Sequence, residues 1–282
     1  MKENSARLLF LVIFMGTTCC AQSAAKGTPQ ENRAAEESLE QRQPLELVFA
    51  DSIVPQDRHE MMLTTGGWYT QQRGDSHYAL LTQKIEWGIS DKLQVSTFVQ
   101  ALRRSNQNGS MATGMGDFEV GARYTWETVG SPFTHAAVAF DVGFPTGDPR
   151  KGLGESAYTV TPSVLVSHEF AKGKYQVFTT DGLEFVVAHR SVGEPNVPHH
   201  AVFSNSGVSM HSGPGWAVAE VSVTSTRWSG GTDTQLTVTP SYIWRVARRT
   251  ELLFGVFIGL TSSSDRIGGV IKFTFELGGK HE

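Results

Sequence analysis

A membrane-spanning, antiparallel β-barrel of about twelve strands is the all-β fold this sequence predicts, and three observations carry it. From Phe118 to Glu127 the chain alternates strictly: Phe118, Val120, Ala122, Tyr124 and Trp126 leave one face, and Glu119, Gly121, Arg123, Thr125 and Glu127 the other. That two-residue period belongs to a β-strand. The pattern recurs to the end of the chain, with no amphipathic helical run of useful length between. The connections alternate between short turns and longer loops, as in a barrel that enters and leaves a bilayer. Hydrocarbon offers backbone groups no partners, so a spanning sheet must close on itself and abolish its edges.

At 282 residues and a net charge of −4, the chain suits one all-β domain. Neither a basic excess that would point to nucleic acid nor an acidic tail is present. Lys2 and Arg7 precede the apolar run from Leu8 to Met15, and small residues follow to Ala25. Residues 1–25 therefore read as a secretory signal peptide, cut after Ala21 or Ala25. The run is shorter than the roughly 20 residues of a spanning helix. Cys19 and Cys20 both fall inside it, and Gly16 and Thr17 stand where a lipid-attachment signal carries leucine or a branched residue. The mature chain is thus expected to be free of cysteine and disulfides. Residues 26–58 read as an N-terminal linker, mostly flexible. Within it, Leu45 to Ala50 fit either a short strand or a stretch tucked against the domain.

The barrel is expected over 59–277, with 278–282 as a C-terminal extension. Strands fall near 59–70, 76–89, 92–104, 116–127, 133–145, 156–170, 174–188, 199–211, 215–227, 233–247, 250–262 and 266–277. Their length suits a tilted bilayer span, whereas a soluble sandwich more often uses strands of about 5–6 residues. Faces follow from the alternation. Ile271, Phe273, Phe275 and Leu277 oppose Lys272, Thr274 and Glu276; Ala136, Val138, Phe140, Val142 and Phe144 oppose Ala137, Ala139, Asp141 and Gly143; Ile85, Trp87 and Ile89 oppose Lys84, Glu86 and Gly88. In 174–188 and 199–211 the phase is poor. Trp87, Tyr124, Trp126, Tyr242 and Trp244 sit near strand ends that precede short turns, where a headgroup-level aromatic belt is expected. Core aromatics of a soluble β protein are the alternative.

Several short motifs occur in a fixed order. Glu86 to Val95 comes first, then Gly114, Gly116 and Asp117 with Gly121 to Tyr124, then Phe144 to Asp148, then Thr237 to Tyr242 and Gly255 to Leu260. Together they resemble the outer-membrane proteins named after the meta-pathway of phenol degradation, over roughly residues 60–277. The resemblance implies a β-barrel in the outer membrane of a Gram-negative bacterium, described as a transporter or channel, with the lipid bilayer and the barrel-assembly machinery as partners. One departure is the end of the chain, which continues past Phe275 to Glu282 instead of stopping on an aromatic residue.

The candidate lumen-facing charges are Lys84, Glu86, Glu119, Arg123, Asp141 and Lys272, with Glu220 and Glu184 placed less firmly. They read either as a lumen that screens a small-molecule solute by charge and width, or as a mutually paired polar interior. Inward Phe98, Leu102 and Phe257 would narrow it. Pro162 and Pro240 stand in matching Thr-Val-Thr-Pro-Ser segments and are candidate wall bulges, since proline removes a ladder hydrogen bond. A kinked wall there could let apolar solutes leave sideways. No enzyme is expected: His200 and Ser204 share a strand face but lie about 13 Å apart, too far for a nucleophile and its base. His189, His199, His200 and His211 lack chelating spacing, no phosphate loop follows the glycines of 109–116, and no cofactor is implied. A third reading is a structural or surface-binding barrel that uses loops 105–115, 146–155 and 189–198.

Overall fold

The computed structural model describes residues 43–73, 77–107, 110–126, 128–151, 153–171, 173–189 and 198–278, apart from the side chains of 101–107, 110, 111 and 198. The expected signal peptide, residues 26–42 of the expected linker, loop 190–197 and residues 279–282 lie outside the described residues, as does the Leu102 side chain.

Thirteen strands follow one another: β1 (Met61–Gln71), β2 (His77–Gly88), β3 (Leu93–Gln107), β4 (Ser110–Gly114), β5 (Phe118–Trp126), β6 (Thr134–Phe144), β7 (Ala157–Phe170), β8 (Tyr175–His189), β9 (Pro198–Ser212), β10 (Gly215–Trp228), β11 (Gly231–Ala247), β12 (Thr250–Gly259) and β13 (Ile267–Leu277). Each wall strand pairs antiparallel with its neighbours, β1 also pairs with β13, and β2 with β3, so the sheet closes. Twelve strands make the wall. The thirteenth, β4, pairs only with residues 103–107 of β3 and prolongs one hairpin inside the expected loop 105–115.

The alternation sorts side chains as expected of a transmembrane barrel. Along β5, Val120, Tyr124 and Trp126 are exposed while Arg123 and Thr125 are buried; along β13, Ile271, Phe273, Phe275 and Leu277 are exposed while Val270, Lys272 and Thr274 are buried. Trp87, Tyr124, Trp126 and Trp244 form an outward belt at the short-turn end, joined by Phe170 and Tyr175. The faces that sequence leaves open resolve in the same way. Gln176, Phe178 and Thr180 of β8 point inward and Val177, Leu183 and Phe185 outward.

Pro162 and Pro240 behave alike, and neither makes the expected bulge. The β7–β8 ladder passes from Val160↔Phe185 to Ser163↔Gly182, and the β11–β12 ladder from Val238↔Ile258 to Ser241↔Gly255. Each ladder is interrupted on one side with its register unchanged, because a proline nitrogen cannot donate. The register shifts lie elsewhere, at Tyr158/Thr159, Leu81/Thr82, Arg227/Trp228 and Arg245/Ala247. Across the opposite edges Pro162 still faces Phe140, and Pro240 faces Ala219.

Candidate functional site

The described part of the expected linker forms no strand and is tucked inside the barrel. Residues 43–58 enter the lumen at the short-turn end, rise along the wall, turn over at Phe49 to Asp51 and descend to β1. Buried carboxylates and cations of the wall hold them by the backbone. Glu220 of β10 accepts the N–H groups of Val48 (2.7 Å), Phe49 (2.7 Å) and Ala50 (3.0 Å). Glu251 of β12 accepts the Leu45 N–H at 2.8 Å. Lys272 Nζ of β13 donates to Glu46 Oε1 (2.9 Å), the Leu47 carbonyl (2.6 Å) and the Val48 carbonyl (3.1 Å). A strandless backbone inside a barrel must find such partners, because its N–H and C=O groups have left both water and ladder.

The descending arm is bound by other strands. Lys84 of β2 donates to Asp51 Oδ1 at 3.0 Å. Arg123 of β5 donates to the Val54 carbonyl and Thr125 to that of Ile53. Gln94 of β3 accepts the Gln56 N–H while its amide donates to Glu86 Oε1 at 2.6 Å. Ser52 Oγ donates across the base of the turn to the Pro44 carbonyl. Burial alone would raise the Asp51 carboxyl. Lys84 and Arg123, with Lys272 behind them, outweigh that and hold it below the ordinary aspartate range. Asp51 is therefore a carboxylate at neutral pH.

Apolar packing completes the seal. Leu47, Val48 and Ala50 are buried with Phe178, Trp216, Val218, Ile243, Leu253 and Val270 of the wall, and Ile53 with Ala137 and Leu165. Behind the descending arm, a Cβ on Gly88 would come within 1.9 Å of the Asp57 carbonyl oxygen. Glycine is required there because the plug backbone runs directly against β2. Just beyond, His59 adopts φ 67° and turns the chain into β1.

Beyond the apex the lumen widens into a cavity of about 710 Å³. Its floor is a trio of rings, Phe49 of the plug with Trp68 and Phe257 of the wall, whose centroids lie 5.7 to 6.3 Å apart. Glu119, Asp141, Glu155, Glu184 and Asp265 line its sides. Asp117 shapes the rim: its carboxylate accepts the N–H groups of Gly147 (2.8 Å) and Glu155 (2.5 Å), binding loop 146–155 to the base of β5.

All seven candidate lumen charges and Glu184 point inward, and Lys84, Glu86, Arg123 and Lys272 line the cavity as well as serving the plug. Lys84, Arg123, Glu220 and Lys272 hold the plug, and Glu86 braces Lys84 and Arg123 at 3.4 and 3.6 Å. Glu119, Asp141 and Glu184 line the open cavity, and none pairs with a cation among the described residues. Glu251, Glu169, Gln94 and Asn205 also grip the plug, and sequence reasoning did not single them out. The available signal was a hexad apolar but for Glu46, Leu45 to Ala50, placed before a barrel with surplus inward carboxylates.

No sequence-family profile and no curated protein matches the chain. Solved structures do match. The COG4313 outer membrane channel from Pseudomonas putida F1 superposes with a TM-score of 0.67 at 10% identity, over 82% of this chain and 100% of that one. The beta domain of the Bordetella autotransporter BrkA gives 0.50 at 10% identity, over 78% and 100%. The KdgM porin gives 0.49 at 10% identity, over 76% and 99%. The first two likenesses establish the fold alone, a closed twelve-stranded barrel of the outer-membrane kind, which implies a bilayer around it.

Proposed function

We propose that this protein is an outer-membrane channel for small solutes, held closed by its own N-terminal segment. The observation that carries the reading is the three-point grip of Glu220 on the plug backbone beneath an open cavity. A barrel built only as a scaffold has no need of a hollow upper half above a separately bonded stopper. The neighbour described as an outer membrane channel supports the reading through its shared fold. The ordered motifs of the phenol meta-pathway proteins support it independently.

The cavity suggests the solute class. Phe49, Trp68 and Phe257 offer apolar ring faces, while the carboxylates Glu119, Asp141, Glu155, Glu184 and Asp265 outnumber the cations Lys84, Arg123 and Lys272 in the lining and disfavour anions. The favoured cargo is a small neutral or cationic molecule with an apolar or aromatic body. A sideways exit fits the ladder interruptions at Pro162 and Pro240 and the apolar outer groove beside Pro240, lined by Tyr69, Leu81, Phe254, Val256 and Ile271. On this reading the chain is exported by residues 1–25 and inserted by the barrel-assembly machinery.

The test is conductance in planar bilayers of the purified protein and of a variant lacking residues 43–58. Rare openings in the full chain and sustained stepwise current in the deletion are expected. A deletion variant that folds but stays silent would leave a structural or surface-binding barrel, and the channel reading would fail.

A further inference from the structure

The outer wall carries a polar island. Around β8 and β9 the outward face is apolar, with Val164, Val166, Val177, Leu183, Val208 and Val221 exposed. Amid them Thr179 and Asp181 of β8 stand directly opposite Ser206 and Ser204 of β9. Thr179 Oγ1 donates to Asp181 Oδ2 at 3.1 Å, the Thr179 and Ser206 hydroxyls lie 2.8 Å apart, and those of Ser204 and Ser206 3.4 Å. Phe178 and Thr180 are buried on the lumen side, so Thr179 and Asp181 are committed to the outside.

The island sits deep in the hydrocarbon. Asp181 is six residues from Tyr175 in the short-turn aromatic belt and four from Phe185 toward the other rim. A tilted strand gains roughly 2.5 Å of depth per residue, which puts Asp181 about 15 Å from one interface and about 10 Å from the other. Lipid cannot partner a carboxyl group there, and charged substitutions on this face of a barrel are unfavourable. The second Asp181 oxygen has no partner among the described residues. Beside the island, the β7–β8 ladder is interrupted opposite Leu183 and Glu184.

We infer that this face is where a second copy of the chain docks. Hydroxyls both donate and accept, and a carboxyl oxygen accepts, so the quartet complements its own image across a two-fold axis along the membrane normal. In that arrangement the free Asp181 oxygen meets the partner's island instead of lipid, and the flanking valines pack against their counterparts. A partner of unlike sequence would need a hydrogen-bond donor at the same depth on its own membrane face, whereas a second copy supplies one by symmetry.

Disulfide trapping tests this in intact outer membranes, with Cys19 and Cys20, the chain's two cysteines, replaced by serine. Under mild oxidation Ser204→Cys should give a cross-linked dimer, while Val256→Cys on β12, three strands further round the wall, stays monomeric. Adding Asp181→Leu to Ser204→Cys should lower trapping by roughly threefold or more, as loss of a hydrogen bond between membrane-embedded surfaces implies. Heat-modifiable gel mobility verifies that the barrel remains closed. Equal trapping at positions 204 and 256, no dimer at 204, or an adduct only with a different protein would each overturn the inference.

Discussion

On the channel reading, replacing Glu220 by alanine should open the lumen without unfolding the barrel. The side chain is fully buried and is held to the plug by three backbone N–H donors at 2.7 to 3.0 Å. Each hydrogen bond to a charged group contributes about 1.5–3 kcal/mol, and an abandoned buried donor adds its own desolvation cost. The three share one carboxylate and do not add independently. About 3–5 kcal/mol, the usual cost of breaking a buried charged contact from one side, is the reasonable expectation. At about 1.4 kcal/mol per decade, that shifts the open-to-closed ratio by roughly 10²- to 4 × 10³-fold. Single-channel recording reads this as open probability, with the 43–58 deletion as the ceiling. Glu220→Gln keeps the shape and one acceptor oxygen, so it should fall between wild type and alanine. Should Glu220→Ala keep wild-type open probability while the deletion conducts freely, the carboxylate is not the latch.

Asp51 gives the plug an acid limit. Because its folded-state carboxyl titrates below the ordinary aspartate range, its link to Lys84 stabilises the closed form above about pH 4 and is lost as pH falls through the lowered value. Openings should rise under acid, and Asp51→Asn should raise the neutral-pH baseline and flatten that part of the response; identical profiles would refute the link. Changing Glu119, Asp141 and Glu184 together to Gln, Asn and Gln should move the reversal potential in a salt gradient away from cation preference, with the plug-deleted channel as background. Replacing Pro162 and Pro240 with threonine should restore ladder pairing and slow uptake of an apolar solute, leaving ion conductance unchanged; unaltered uptake ends the sideways route.

The wall was legible because bilayer and lumen impose opposite demands on alternate residues, and β5 and β13 record that in most positions, with Val270, packed against the plug, an exception. Strands β8 and β9 were illegible for a reason visible in the structure. Their inward faces carry Phe178, packed in the core beneath the plug, and Phe203, lining the cavity, while their outward faces carry Thr179, Asp181, Ser204 and Ser206. Both faces break the usual code, so the period survives but its phase cannot be assigned. The plug had no period to read. Its partners Glu220, Glu251 and Lys272 lie 172, 206 and 225 residues away in sequence, and no local pattern specifies such pairings. Composition called residues 26–58 a linker, but composition does not record that Leu45 to Ala50 meet a lumen able to receive them.

Plug and wall should also differ in how they open. Wall amides are held in ladders that close through β1–β13 and β2–β3, and losing one strand exposes its neighbours to lipid. Plug amides are held by side chains, chiefly Glu220 and Glu251, whose release into a hydrated lumen leaves every ladder intact. The segment is therefore expected to open as a separate low-stability unit. Hydrogen exchange in detergent micelles or nanodiscs should show the amides of Leu45, Val48, Phe49 and Ala50 exchanging by a sub-global opening, with wall strands protected for far longer. Glu220→Ala should accelerate the plug amides selectively. If plug and wall amides instead exchange together at the slowest rate in the molecule, the segment is a structural part of the barrel. Removing it would then collapse the wall, and a movable stopper could not be its role.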